Sequence, residues 1–213
     1  MSRAKREAVV LIHGIWMNSL EMFYLNQYFK KINYAVYGFN YPSLRKTPVE
    51  NAEKLAGFVS RIPQKRVHFI AHSLGGLVTL HLFDKFPVAQ DGRIVLLGCP
   101  YRGSAFARYF DQQPHLQKLA LGKAQVGALL EPAPEWEMQR ELGVIAGNQP
   151  YGMGSSLGII EGEAHDGTVH VEETVIDNAR DFLVMPVSHT SMLFDRNVAA
   201  AASNFILKGE FSA

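Results

Sequence analysis

The chain has 213 residues, 21 basic and 20 acidic side chains, and a formal net charge of +1. That length suits one domain able to bury roughly 70% of its unfolded surface, and so even a balance of charge carries no field that would gather nucleic acid or anionic lipid. The single cysteine, Cys99, excludes an intramolecular disulfide and fits a reducing compartment.

Arg3, Lys5 and Arg6 read as a solvated tail ahead of a first strand over residues 8–12, "AVVLI". This run is too short for a signal-peptide core. No stretch approaches the roughly 18 apolar residues of a membrane span, so the chain is expected to be soluble, unexported and cytoplasmic, with no integral membrane segment. The strand runs into "HGIW", where Gly14 lets the chain turn tightly and His13 is suited to brace the loop. A helix over 20–31, a strand over 35–40 and a helix over 49–61 follow; Thr47 and Pro48 form a natural start for that helix, as N-cap and first helical residue.

The next strand, 67–71, leads directly into a helix over 74–86 through Ala71-His72-Ser73-Leu74-Gly75. Such a junction puts Ser73 at the apex of a sharp turn on the carboxyl edge of the sheet, where open parallel sheets bind ligands. The positions two away must be small because the strand and helix backbones nearly touch there, and Ala71 and Gly75 are small. A helix starting at Leu74 also turns its free amides and positive dipole end toward any negative charge that develops beside the serine.

A strand over 94–98 is followed by an excursion, 101–136, with apolar triplets Phe106, Tyr109, Phe110 and Val126, Leu129, Leu130; Pro114 and Gly122 cut it into short helices. It is expected either to pack as ordinary helices on the sheet or to form a small cap. Strands at 143–146 and 182–186 and a helix over 192–207 complete the chain. Short apolar runs alternating with helical segments imply an α/β fold: a mostly parallel sheet of about six strands with helices on both faces. All the strand runs but the second are near-continuously apolar, as in strands covered on both faces. No repeat or charged linker divides residues 1–213, so a single domain is expected.

A serine hydroxyl is a poor nucleophile at neutral pH and needs an imidazole to take its proton and a carboxylate to fix the imidazole's tautomer. His189 follows the strand "FLVMPV" on the same carboxyl edge as Ser73 and is the best base. His72 adjoins the serine but should point away, His68 is mid-strand, His81 is well down a helix, and His115 lies in the excursion. In this sheet type the acid comes between serine and histidine in chain order, after the preceding strand. Asp166 in "HDGTV" fits best, ahead of Asp177 and Asp181. His165 and His170 flank it without a metal-ligand spacing, so neither metal nor organic cofactor is expected. The oxyanion donors would be the backbone amides of Leu74 and Ile15.

"LIHGIW", "IAHSLGG", "LLGCPYRGS", "HDGTV" and "VSHTSM", in that order from about Val9 to Met192, resemble the α/β-hydrolase superfamily, and more narrowly its small bacterial lipases and esterases with a minimal sheet. Ala71 replaces the first glycine of the nucleophile turn, a variant also found in that group. "LGCPYRGS" is similar to the Gly-Thr-Pro-His-x-Gly-Ser loop of such lipases, with cysteine and tyrosine substituted. The resemblance implies hydrolysis of a small-molecule acyl ester, and the absence of an export signal favours an intracellular carboxylesterase over a fat-digesting lipase. Trp16, Met17 and Met192 are candidates for an acyl pocket. The same chemistry would serve a thioesterase, amidase or acyltransferase, and a noncatalytic lipid- or partner-binding protein on this scaffold is the rival from another class.

Overall fold

Each strand expected from an apolar run forms. In a computed structural model of the chain the residues described are 7–137 and 139–211, Pro114 by its backbone alone; Arg3, Lys5 and Arg6, expected as a tail, lie outside them. The strands β1 (Glu7–Ile12), β2 (Ala35–Phe39), β3 (Arg66–His72), β4 (Ile94–Leu97), β5 (Leu142–Gly147) and β6 (Asp181–Met185) make one sheet in the order β2-β1-β3-β4-β5-β6, every neighbouring pair parallel. The four central strands are buried almost throughout, so their sequences run apolar instead of alternating.

β6 departs from the expectation of cover on both faces. It is an edge strand on which Phe182 and Val184 are exposed. The connection before it, residues 148–180, holds among the described residues only a one-turn helix, α6 (Met153–Ser156), and a 3-10 turn at Glu172–Thr174, too little to cover that face.

Helices α1 (Phe23–Lys31) and α7 (Arg196–Lys208) pack on one face, where Leu25, Phe29, Val198 and Phe205 meet Val9, Leu11, Ile70 and Val95. On the other face, α2 (Pro48–Val59) and α3 (Leu74–Lys85) set Leu55, Val59, Leu77 and Leu80 against Val10, Phe69 and Leu96. The start of α2 is fixed as expected: Thr47 Oγ1 accepts from the Glu50 amide at 3.2 Å and Glu50 accepts from the Thr47 amide at 2.7 Å, a capping box worth about 1 kcal/mol. α1 begins three residues later than its apolar pattern indicates, because Asn18 and Glu21 hold 18–21 in turns by side chain to backbone bonds. α7 begins at Arg196, where Asp195 Oδ1 accepts from the amides of Asn197 and Val198.

The excursion folds as α4 (Ala105–Asp111), α5 (Pro114–Ala120) and a 3-10 turn at Gly122–Gln125, broken where Pro114 and Gly122 demand it. Phe106, Ala107, Leu121, Ala124 and Leu129 are buried in the α2–α3 side core, whereas Tyr109 and Val126 are exposed. His81 on α3 ties it down through Nε2, 2.9 Å from the Gly127 carbonyl. No helix among the described residues is long and apolar enough to cross a membrane.

From β1 the chain crosses to β2 on one side and then to β3 on the other. The carboxyl ends of β1 and β3 therefore flank the point where the winding reverses, the crevice in which open α/β sheets hold ligands.

Candidate active site

At the end of β3, Ser73 adopts φ 53° and ψ −124°, a left-handed conformation for a residue with a Cβ. Such a backbone costs of order 1–3 kcal/mol and persists only where its surroundings over-determine it. Here the Ser73 amide donates to the Leu97 carbonyl at 2.9 Å, and the Gly76 amide donates back to the Ser73 carbonyl at 2.9 Å. The tightness expected of the turn is present: a Cβ on Gly75 would stand 2.5 Å from the His13 carbonyl oxygen, and one on Gly76 2.5 Å from Cys99 Sγ. Leu74 is the first residue of α3, so its amide has no acceptor within that helix.

The loop after β1 lies against this turn. A Cβ on Gly14 would sit 3.2 Å from Ser73 Cβ and 2.9 Å from His72 Nδ1, so a side chain there would drive the loop off the serine. His13 braces the loop, stacking on Tyr41 at 4.3 Å. Its Nδ1–H donates to the Gly14 carbonyl at 2.8 Å, its Nε2 accepts from the Tyr41 amide at 3.4 Å, and the Tyr41 hydroxyl donates to the His13 carbonyl at 2.7 Å. Burial lowers the pKa of His13, which keeps the ring neutral, as that pattern of one donor and one acceptor requires. The Trp16 amide is taken by Ser43 Oγ at 3.2 Å, while Ile15 lines the same cavity as Ser73.

Asp166 and His189 come together from either side of β6. Asp166 Oδ2 lies 2.6 Å from His189 Nδ1, and Asp166 Oδ1 accepts from the amides of Thr168 at 2.9 Å and Val169 at 2.7 Å. A carboxylate so supplied with donors is held in one rotamer and accepts the imidazole Nδ1–H, which leaves the lone pair on Nε2. The backbone repeats the link, the His189 amide donating to the Asp166 carbonyl at 2.9 Å. Gly98, at φ 54°, lies beneath the pair: a Cβ there would be 3.1 Å from both Asp166 Oδ2 and His189 Nδ1. Asp177 instead pairs with Arg102 at the surface, and Asp181 begins β6 at the opposite end of the sheet.

Ser73 and His189 open onto one cavity of about 310 Å³. Its walls are mostly apolar: Ile15, Trp16 and Met17 from the loop after β1, Phe106, Ala107, Leu121 and Leu129 from the excursion, and Met153 and Val169 from the β5–β6 connection. Met192 is a correction. It is 0% exposed and is not among the lining residues; it belongs to the core between the sheet and α7, its Cε 3.3 Å from where a Cβ on Gly147 would be. Because α7 starts only after Asp195, Met192 falls in the 3-10 turn under the His189 loop and points inward.

Sequence reasoning also missed His72. Its ring is fully buried, 4.6 Å from that of His189, and its Nε2 lies 2.8 Å from the His189 carbonyl oxygen. Adjacency to Ser73 gave no sign of this, since the partner is 117 positions away. His165 Nδ1 accepts from the Gly167 amide at 3.1 Å. Among the described residues no three His, Cys, Asp or Glu side chains gather as a metal set.

A six-stranded parallel sheet with a strained serine turn at its switch point, and an aspartate and a histidine paired from the loops flanking its last strand, make up an α/β-hydrolase fold. Solved structures agree on the fold: a lipase-esterase related protein from Clostridium acetobutylicum (TM-score 0.66, 14% identity, 95% of each chain covered) and the Bacillus licheniformis lipase BlEst2 (TM-score 0.76, 18% identity, 99% of this chain and 52% of that one). The chain belongs to the family described as a domain of unknown function (DUF7379), whose model matches residues 1–146. The chain is also similar to the putative carbamate hydrolase RutD of Pantoea ananatis, 30% identical over 124 residues, which cover 53% of this chain and 44% of that protein. The match thus spans less than half the length of that relative.

Proposed function

We propose that the protein is a serine hydrolase that cleaves carboxylic esters through an acyl-enzyme on Ser73, with His189 as base and Asp166 as its orienting acid. The observation that carries this reading is the 2.6 Å contact of Asp166 Oδ2 with His189 Nδ1 beside a serine held at φ 53°. With Nδ1 protonated against the carboxylate, Nε2 takes the Ser73 proton as Oγ attacks the acyl carbon. The Ile15 and Leu74 amides hold the oxyanion of the tetrahedral intermediate. On collapse the alkoxide leaves with the proton from Nε2; a water, deprotonated in turn by His189, attacks the acyl-enzyme and releases the acid and free Ser73.

The apolar lining by Trp16, Met17, Phe106 and Leu129 suits an acyl chain, and the excursion 101–136 acts as its cap. The structures it resembles include a metagenomic carboxyl esterase and a lipase, which favours esters, while the carbamate named for RutD makes carbamates the first competitor to assay. The test is a hydrolysis panel of acyl esters of graded chain length, thioesters, amides and carbamates, run on the protein and on Ser73→Ala. Esters turned over best, with a loss of about 10⁵-fold or more in the variant, support the assignment. Equal rates for the two proteins overturn it, and a carbamate preferred over every ester overturns the substrate class.

A further inference from the structure

His72 is absent from the mechanism just given, yet it occupies its centre. The ring sits at the last position of β3, next to Ser73, and touches both loops that supply the other groups: Nδ1 faces Gly14 on the loop after β1, and Nε2 faces the His189 carbonyl at 2.8 Å. Its protonation follows from its partners. A carbonyl oxygen only accepts, so Nε2 carries the hydrogen. Burial, and then the facing His189, push its pKa well below the ordinary histidine value, so the ring is neutral and Nδ1 is a bare acceptor. That nitrogen has no hydrogen-bond partner among the described residues. A wholly buried imidazole with one unpaired nitrogen is a poor choice for core filling, where an apolar ring would avoid the desolvation of that atom. What histidine supplies and an apolar ring does not is the bond to residue 189.

We propose that His72 is the positioning residue of the base: its Nε2–H, donated to the His189 carbonyl, ties the loop bearing the imidazole to the turn bearing the nucleophile. Asp166 sets the tautomer and tilt of the imidazole but reaches it from the β5–β6 connection, with no bond to the turn at Ser73. His72 supplies that link, from the residue next to the serine to the backbone of the histidine. Because it stays neutral, it adds no charge against the imidazolium that forms 4.6 Å away during turnover. The inference rests on the hydrolase reading for its catalytic consequence and on the geometry alone for the tie itself.

Three variants separate these. His72→Phe keeps a ring but no donor; His72→Gln returns a donor at the reach of Nε2; His72→Asn is polar but too short. Ester turnover, fluorophosphonate labelling rate, thermal unfolding, and hydrogen exchange of the 187–193 segment are measured on each. In the Phe and Asn variants kcat and labelling rate should fall about tenfold to a hundredfold with KM within about twofold, the scale of a misplaced group near the chemistry. Exchange of the segment should rise, and Gln should restore both to within about threefold of wild type. If the Phe variant does not fold, the contrast of Asn with Gln decides. Wild-type kcat in a folded Phe or Asn variant, or Gln no better than Asn, overturns the positioning role, as does unchanged exchange. A wild-type protein that neither labels nor turns over ester, yet loosens at 187–193 in the variants, overturns the hydrolase reading and leaves the tie standing.

Discussion

The two walls of the cavity are built differently. The sheet-edge wall, made by the turns after β1 and β3 and the loops around β6, is set by backbone: strained φ at Ser73, glycines at 14, 75 and 98 where an added Cβ would stand 2.9, 2.5 and 3.1 Å from its nearest neighbour, and a carboxylate fed by two amides. The excursion wall presents apolar side chains to the cavity, and polar ties hold it at its margins: the indole Nε1–H of Trp16 donates to the Ala120 carbonyl at 2.8 Å, and the Ala105 amide and Arg108 donate to Glu173 on the β5–β6 connection. Its outer surface carries exposed Leu119, 77% accessible, within the same helix, α5. Rigid backbone suits groups that must hold transition-state geometry to fractions of an ångström. Apolar walls that repack at small cost suit selection among acyl chains, where each methylene is worth only about 1–3 kcal/mol.

The sharpest way to break this contrast is on the rigid side. Asp166→Asn keeps the shape but permits the wrong imidazole tautomer, and kcat on the preferred ester should fall about 10⁴-fold with little change in unfolding temperature; a loss under tenfold would remove Asp166 from the mechanism. Gly75→Ala should lower stability by about 3 kcal/mol, because the added carbon meets the carbonyls of residues 12 and 13, which cannot move aside. Chemical denaturation measures it, and a neutral change would mean the turn is looser than its geometry.

Acid should lower the stability of the whole fold, because buried histidines serve both walls, the pKa of His81 beneath the excursion being lowered by burial as well. His72 and His13 are buried with lowered pKa, and His68 on β3 is pushed down to about 4 by burial despite its contact with Glu7. Groups whose folded pKa lies below the unfolded value of about 6.5 leave the unfolded chain binding more protons, so stability is full above about pH 6.5 and declines as pH falls toward the folded values. Unfolding temperature should therefore drop between pH 7 and 5, and a flat or rising profile would contradict neutral burial of these rings. The smallest effect belongs to the apolar wall: Trp16→Phe removes the tie to Ala120, and KM for long-chain esters should shift about twofold to fivefold with kcat nearly unchanged.

The same contrast explains what could be read from sequence. Central strands buried on both faces announce themselves as apolar runs, and Thr47-Pro48 and Pro114 mark helix starts by local chemistry. The serine turn was legible because its constraints are local, a small residue two positions to either side. Met192 was not, since its direction depends on where Asp195 starts α7. Nor was His72, whose bond joins the end of β3 to a loop more than a hundred residues on, or Gly98, whose neighbours come from β5 and β6 connections. The cover of β6 was overestimated because an edge strand of "FLVM" reads like a central one; only the lack of a long helix before it tells them apart.

The central claim is that Ser73 is made nucleophilic by His189. Its most direct measurement is mass-spectrometric mapping of the adduct formed by a fluorophosphonate with the protein and with His189→Ala. The account predicts one adduct, on Ser73, forming at least about a thousandfold more slowly without the imidazole. An adduct on another residue, or equal rates in the two proteins, would contradict it.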